Sequence, residues 1–328
     1  MNAAPSDAAA RIGSGPVLWT NLLIVWIVWG STYMGIRFAT ESIPPFIAGG
    51  TRLLAAFALM VVITAVIRGP RALRVSPREC GTALFLGVAL LAVGLGTVGL
   101  AQAYVPTGVM ALIIASTPLT IVIWRAITGD RPPALTLIGV AVGLAGIAWM
   151  LLPGGTRPVS GTEWDVVVWS LIVLCSATIW ATASFFSGRM PTPRDNFVLT
   201  TYELLGGGVV LLMIGLLQGE QVDVADITLR SWAGWLFLVI AGSVIAFSSF
   251  TWLINRAPIS LASTYAYVNP VVAVILGLLL YGEALTSDVV VGLTVVLGGV
   301  VLVVSAESIR ARHLRSRGAP AIPETEVT

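Results

Sequence analysis

Apolar runs of about twenty residues recur along the whole chain, separated by short clusters rich in Arg, Pro, Gly and Asp. A bilayer core of about 30 Å is crossed by about 20 apolar helical residues. On that measure the pattern predicts ten spans: Leu18–Ala39, Pro45–Ile67, Gly81–Tyr104, Gly108–Ile127, Ala134–Leu152, Val166–Ser187, Asn196–Leu217, Ser231–Asn255, Ile259–Tyr281 and Val289–Ala306. Ten spans place both termini on one side of the membrane.

The charged positions between the runs orient the set. Cytoplasmic loops accumulate positive residues. With both ends inside, the cytoplasmic segments hold Arg11, the cluster Arg68, Arg71, Arg74 and Arg78, then Arg125, Arg131, Arg189, Arg194 and Arg256, and finally Arg310, Arg312, Arg315 and Arg317. The opposite loops hold only Arg157 and Arg230. This asymmetry predicts a multi-pass protein of the cell (plasma) membrane with both termini cytoplasmic.

Composition agrees with the pattern: 57% of the 328 residues are hydrophobic and 10% charged, against about 25% charged in a soluble domain. A net charge of +2 points to no nucleic-acid partner. Cys80 and Cys175 suggest neither a disulfide framework nor a thiolate metal site. The single histidine, His313, lies among C-terminal arginines, so imidazole relay and metal chemistry within the membrane are not expected. No cofactor is expected. No lysine is present, and with it the phosphate-binding loop of ATP-driven pumps is excluded. The Ala/Ser/Gly-rich stretch from Met1 to Pro16 shows no clear cleavage-site pattern, and is expected to be a disordered leader before an uncleaved first span.

The two halves repeat. At offsets of 151 to 153 residues, Trp29 matches Trp180, Arg52 matches Glu203, Pro106 matches Pro258, Pro118 matches Pro270, Gly139 matches Gly292 and Gly146 matches Gly299. Each half holds an odd number of predicted spans, so the copies would enter the membrane in opposite directions. Such inverted repeats are typical of secondary transporters, in which one repeat rocks against the other around a central site.

The first span reads Trp29-Gly30-Ser31-Thr32-Tyr33, then Ile36-Arg37, with Pro44-Pro45 and Arg52 following. The ninth reads Leu261-Ala262-Ser263-Thr264-Tyr265-Ala266-Tyr267-Val268-Asn269-Pro270, with Gly282-Glu283 after it. These stretches resemble the EamA family of the drug/metabolite transporter superfamily, and the resemblance runs from about Trp19 to Ser305. It implies ten helices in two EamA repeats, and passage of amino acids or related small metabolites. Asp130-Arg131-Pro132 stands where that family often has Glu-Arg/Lys-Pro. Relatives that carry sugar phosphates place basic residues in the ninth span, and none lies between Arg256 and Arg310.

Several polar or kinked positions are candidates for the transport path. Pro118 and Pro270 each leave a carbonyl one turn earlier, at Ile114 and Ala266, without its helical donor. Such backbone is tolerated at depth only inside protein or beside a wet cavity. The prolines are therefore either gate kinks or packed kinks satisfied by Ser116 or a neighbouring helix. Tyr265 and Asn269 share a helix face, Tyr267 lies on another, and Thr117 lies beside Pro118; each binds substrate or hydrogen-bonds another helix. Trp29 and Tyr33, with Thr32 nearby, would form an aromatic wall, faced across the axis by Trp180 and Ser184. Gln102 lies near the outer end of the third span. Gly139, Gly143 and Gly146, with Gly292 and Gly299, make small-residue faces for close helix packing or a dimer surface.

Two ionisable residues lie well inside predicted spans, Arg52 and Glu203, and such groups are functional candidates by default. They are read as gating or coupling residues together with Pro118 and Pro270. Glu203 would carry a proton if unpaired, or act as a latch if a cation lies beside it. A purely structural carboxylate hydrogen-bonded to Tyr202 or to another helix is the alternative. Arg37 is close enough to its span end to snorkel.

The expectation is an all-α integral membrane protein of ten transmembrane helices in two five-helix inverted-topology repeats. Residues 1–17 form a leader, 18–152 the first repeat, 153–165 a linker, 166–306 the second repeat and 307–328 an Arg-rich cytoplasmic tail. Its function would be alternating-access transport of a small neutral or zwitterionic metabolite such as an amino acid. The cavity would be formed chiefly by spans one, three, four, six, eight and nine, in a monomer or homodimer with lipid and a small-molecule substrate as its partners. A membrane-embedded enzyme or a channel-like pore is the alternative.

Overall fold

The computed structural model describes residues 16–129, 132–150, 156–256 and 265–316, which are helices and short connections with no strand among them. The helices are α1 (Pro16–Ala39), α2 (Pro45–Arg68), α3 (Pro77–Ala101), α4 (Thr107–Ile127), α5 (Ala134–Met150), α6 (Glu163–Ser187), α7 (Asn196–Leu217), α8 (229–256), α9 (Tyr265–Tyr281) and α10 (Ser287–Ser316). Eight carry stretches long and apolar enough to cross a membrane, while α5 and α9 contribute the shorter apolar stretches Ala134–Trp149 and Val268–Tyr281. Leu279 is 71% exposed and Val62 61% exposed, on flanks where a water-soluble protein would carry polar side chains. Those flanks suit lipid.

Predicted and observed helix ends coincide at Ala39, Ile127, Ser187, Leu217 and Tyr281. Helix α3 starts at Pro77, four residues before the predicted Gly81, because Ser76 and Glu79 form a capping box that satisfies its first amides. Helix α10 continues beyond the apolar run to Ser316. The predicted start of the ninth span, Ile259, and the predicted end of the fifth, Leu152, lie outside the described residues.

Close packing is built on glycine. In the α5–α10 pair, a Cβ on Gly299 would sit 2.6 Å from the Gly143 nitrogen and 2.7 Å from the Gly139 carbonyl. These glycine faces are buried against each other within one chain, which removes the dimer-surface reading for Gly139, Gly143 and Gly299. A second close contact involves Gly206, Gly207 and Gly208 of α7, which the sequence reading did not single out. A Cβ on Gly206 would lie 2.4 Å from the Leu84 carbonyl of α3, and one on Gly208 2.9 Å from Leu54 of α2. Helix α7 is thereby wedged against α2 and α3 at backbone distance.

Long-range polar contacts join helix ends at the face opposite the start of α1, hereafter the far face. Ser231 of α8 donates to the Phe38 carbonyl at 2.8 Å. Glu220, beyond α7, accepts from the Phe46 and Ile47 amides at 3.3 and 2.9 Å, capping α2 where Pro45 opens the helix. Val159, ahead of α6, bonds the Tyr104 carbonyl at 2.9 Å.

Candidate functional site

The two prolines act differently on their helices. Helix α4 breaks at Ser116 into Thr107–Ala115 and Thr117–Ile127. The carbonyl freed by Pro118, that of Ile114, accepts from the Thr117 hydroxyl at 2.5 Å, while Ser116 bonds Ile113. Thr117, not Ser116, therefore satisfies the kink, because its hydroxyl points back one turn from the residue next to the proline. Pro270 lies inside α9, which runs unbroken from Tyr265 to Tyr281.

Asn269, next to Pro270, is buried. With its amide nitrogen turned toward the two carbonyls, it donates to Tyr265 at 3.3 Å and to Trp26 of α1 at 3.1 Å. It thus ties α9 to α1. Above this tie Trp29 packs on Phe250 at 4.7 Å and on Tyr265 at 5.4 Å between ring centroids. The Trp29 indole N–H donates to the Gly242 carbonyl at 3.3 Å, in a stretch of α8 (Leu238–Ile245) wound as a π-helix. Thr32 turns its hydroxyl onto the Trp29 carbonyl at 2.6 Å. Trp29, Thr32, Tyr265 and Asn269 are therefore brought together at the junction of α1, α8 and α9. The side chain of Tyr267 lies outside the described residues.

Trp180 and Ser184 lie on a different surface. Trp180 covers Gly94 of α3, with its ring 3.1 Å from where a Cβ would stand, and is about a third exposed. The Ser184 carbonyl accepts from Ser187 at 2.7 Å. The predicted aromatic wall across the axis is thus two separate arrangements: Trp29 against α8 and α9, and Trp180 against α3.

At the far face a cavity of about 330 Å³ is lined by Arg37, Glu41, Gln102, Tyr104, Trp169 and Tyr281, among others. Its wall is aromatic where Tyr104 and Trp169 stack at 5.4 Å and 6°. Gln102 is 4% exposed; its amide nitrogen donates to the Tyr33 carbonyl at 2.7 Å, and its Oε1 has no partner. Deeper, a chamber of about 20 Å³ shares Thr40, Pro45 and Gly99 with the cavity and is bounded by Arg52. Arg52 is 7% exposed. It donates to the Ser243 hydroxyl at 3.5 Å, a long contact, and its Nε has no partner.

Arg37 does not snorkel. It forms a mostly buried ion pair with Glu283 and stacks over the Tyr281 ring at 3.7 Å. Glu283 also accepts from the Thr107 amide at 3.1 Å and the Thr107 hydroxyl at 2.8 Å. One carboxylate therefore joins α1, caps α4 and anchors the end of α9. Gly282 turns the chain there with φ of 60°, and Gly277 has no side chain to block the carboxylate, which would contact a Cβ at 2.4 Å. Glu41 bonds the Tyr281 hydroxyl and pairs with Arg230 at 3.3 Å. Glu283 was visible only as part of the Gly-Glu motif, and Glu41 carried no signal of its own.

Glu203 is set apart from these groups. Its backbone packs against Gly87 of α3, where a Cβ would lie 2.1 Å from the Glu203 carbonyl oxygen. Tyr202 is not its partner, because the Tyr202 hydroxyl donates to the Leu73 carbonyl at 2.7 Å.

The fold is that of a multi-pass helical membrane protein with a solute-sized cavity at its far face and buried charges beneath it. The chain belongs to the EamA-like transporter family, which matches it twice, over residues 17–152 and 167–305. It is 36% identical over 290 residues, 87% of this chain and 90% of the other, to a protein of Escherichia coli (strain K12) named uncharacterized inner membrane transporter YedA. A protein of Streptantibioticus cattleyicolor named probable terminal-alkyne amino-acid exporter is 23% identical over 289 residues, 87% of this chain and 92% of its own. A solved crystal structure shares the fold, with a TM-score of 0.62 and 20% identity over 92% of this chain and 99% of that one. The Escherichia coli and Streptantibioticus relatives are both named as transporters.

Proposed function

We propose that the protein is a secondary carrier for a small neutral or zwitterionic metabolite, an amino acid being the leading candidate. It works by alternating access between two five-helix repeats of inverted topology, ten helices in all, with both termini cytoplasmic. The carrying observation is the far-face cavity: about 330 Å³ is within the range of small-molecule sites, and its inner end leads toward buried Arg52. The name of the Streptantibioticus relative adds an amino acid as a chemical class. Helices α4, broken beside Pro118, and α9, which carries Pro270, are the moving elements in this reading. The cluster of Trp29, Thr32, Tyr33, Tyr265 and Asn269 lines the path on the inner side of the cavity. Glu203 is the coupling residue.

Purified protein in liposomes loaded with unlabelled amino acids should take up labelled amino acid by counterflow, and the uptake should saturate. Uptake that rises linearly with concentration would make the protein a pore. Saturable uptake of a sugar phosphate without competition by amino acids would overturn the substrate class. The orientation is checked separately: a reporter fused after Arg317 should read cytoplasm, and one inserted at Gly155 the opposite side.

A further inference from the structure

Two polar groups that line the cavity and the chamber beneath it are more than nine-tenths buried and have unpartnered atoms: Nε of Arg52 and Oε1 of Gln102. A buried, incompletely bonded guanidinium is costly to maintain in a membrane protein. The single long contact to Ser243 is weak support for a cation. The chamber it bounds holds about 20 Å³, room for one or two water-sized atoms. That is the size of the two oxygens of a carboxylate.

The charges around the cavity are not equivalent. Arg37 is occupied by Glu283 and by the Tyr281 ring, and Arg230 by Glu41. Arg52 thus stands as a buried cation whose guanidinium lacks a carboxylate among the ion pairs of the described residues. Arg forms planar, paired hydrogen bonds with carboxylates, which a buried site strengthens. Gln102 presents the opposite chemistry. Its amide nitrogen is held by the Tyr33 carbonyl, which fixes the rotamer and leaves the oxygen as an acceptor for an N–H donor.

We propose that Arg52 is the carboxylate anchor of the transported solute, and that Gln102 Oε1 accepts a hydrogen bond from an N–H group of the same solute, whose body fills the far-face cavity. Arg52 is then a substrate-binding residue rather than a gate residue. The substrate class narrows to solutes that carry a carboxylate and an N–H donor, as amino acids do. This rests on the carrier reading above, and its test separates the two.

The test begins with counterflow of each of the twenty radiolabelled L-amino acids into liposomes containing wild-type protein. If none exchanges, the amino-acid carrier reading fails and this proposal falls with it. The best-exchanged amino acid is then competed with three unlabelled probes: itself, its amide, which lacks the carboxylate, and its deaminated acid, which lacks the N–H donor. The amide should compete about 10- to 100-fold less well, the loss expected when a charge-assisted pair is removed. Equal competition by the amide overturns the Arg52 assignment while leaving the carrier intact, and no variant is needed to see it. In Arg52→Gln the amino acid should weaken by a similar factor and the preference over the amide should vanish, with Arg52→Lys retaining part of both. Gln102→Leu should weaken the amino acid about tenfold and leave the deaminated acid unchanged. A variant series in which the preference for acid over amide survives the loss of Arg52 also refutes the anchor.

Discussion

Arg37 and Arg52 lie on consecutive helices, and both arginines are largely buried, yet they are treated in opposite ways. Arg37 is paired with Glu283, stacked on Tyr281 and close to the Thr107 hydroxyl at 3.4 Å. Arg52 has one long contact and an empty Nε. A saturated buried charge holds helices together, because removing either partner strands the other in a poorly solvating interior. An unsaturated one contributes little to holding the fold and is available to a ligand. The contrast separates a structural clasp at the far face from a binding group beneath it.

The largest effect should follow from breaking the clasp. Arg37→Ala leaves Glu283 buried without its cation, and a loss of about 3–5 kcal/mol is expected for a stranded partner of this kind. Thermal unfolding in detergent should show a much lower Tm for Arg37→Ala than for wild type, and a Tm near wild type for Arg52→Gln. Equal losses at the two sites would end the distinction drawn between them.

Thr107→Val tests the clasp more gently. It removes the hydroxyl bond to Glu283 at 2.8 Å while keeping the backbone bond at 3.1 Å. A hydrogen bond to a charged group is worth about 1.5–3 kcal/mol, so its Tm should fall between wild type and Arg37→Ala. A value at or above wild type would mean that the Thr107 hydroxyl adds nothing to the hold of Arg37 and the Thr107 amide on Glu283.

Smaller still is the cost of Thr117→Val. The Ile114 carbonyl loses its donor beside Pro118, which should cost about 1 kcal/mol with little change in substrate affinity. A large loss of affinity with unchanged Tm would place the Thr117 hydroxyl in the substrate site instead of the kink.

Glu203→Gln should leave stability nearly unchanged, since the substitution keeps the shape. Its signature is kinetic. A coupling carboxyl, once neutralised, should leave substrate exchange intact and flatten the pH dependence of net transport. Wild-type rate and pH profile in a folded variant would make Glu203 structural.

The clasp also shows where sequence reading reached its limit. Arg37 lies close to a span end, and for such a residue, taken by itself, snorkelling is the reasonable expectation. Its partner is 246 positions away, and nothing local marks the pair. The same holds for Thr117, whose proximity to Pro118 was noted but whose hydroxyl was read as a possible substrate contact. Trp29 and Trp180 match in the repeat, and matching suggested that they face one another. They pack against different helices, since an internal repeat relates positions and does not imply contact.

The apolar helices, several of their ends and their family were determined by the sequence alone. Span length is set by the bilayer and by apolar runs that tertiary contacts do not need to create, and Pro, Gly and capping residues act within a turn of the ends they define. Pairing of charges was decided only by the tertiary structure. Whether a buried arginine is spent or available depends on carboxylates and hydroxyls supplied by helices far away in the chain, and on the glycines that let those helices approach. Nothing in the residues next to Arg37 and Arg52 distinguishes them: Glu283 and Thr107 reach the first, and among the described residues no carboxylate reaches the second.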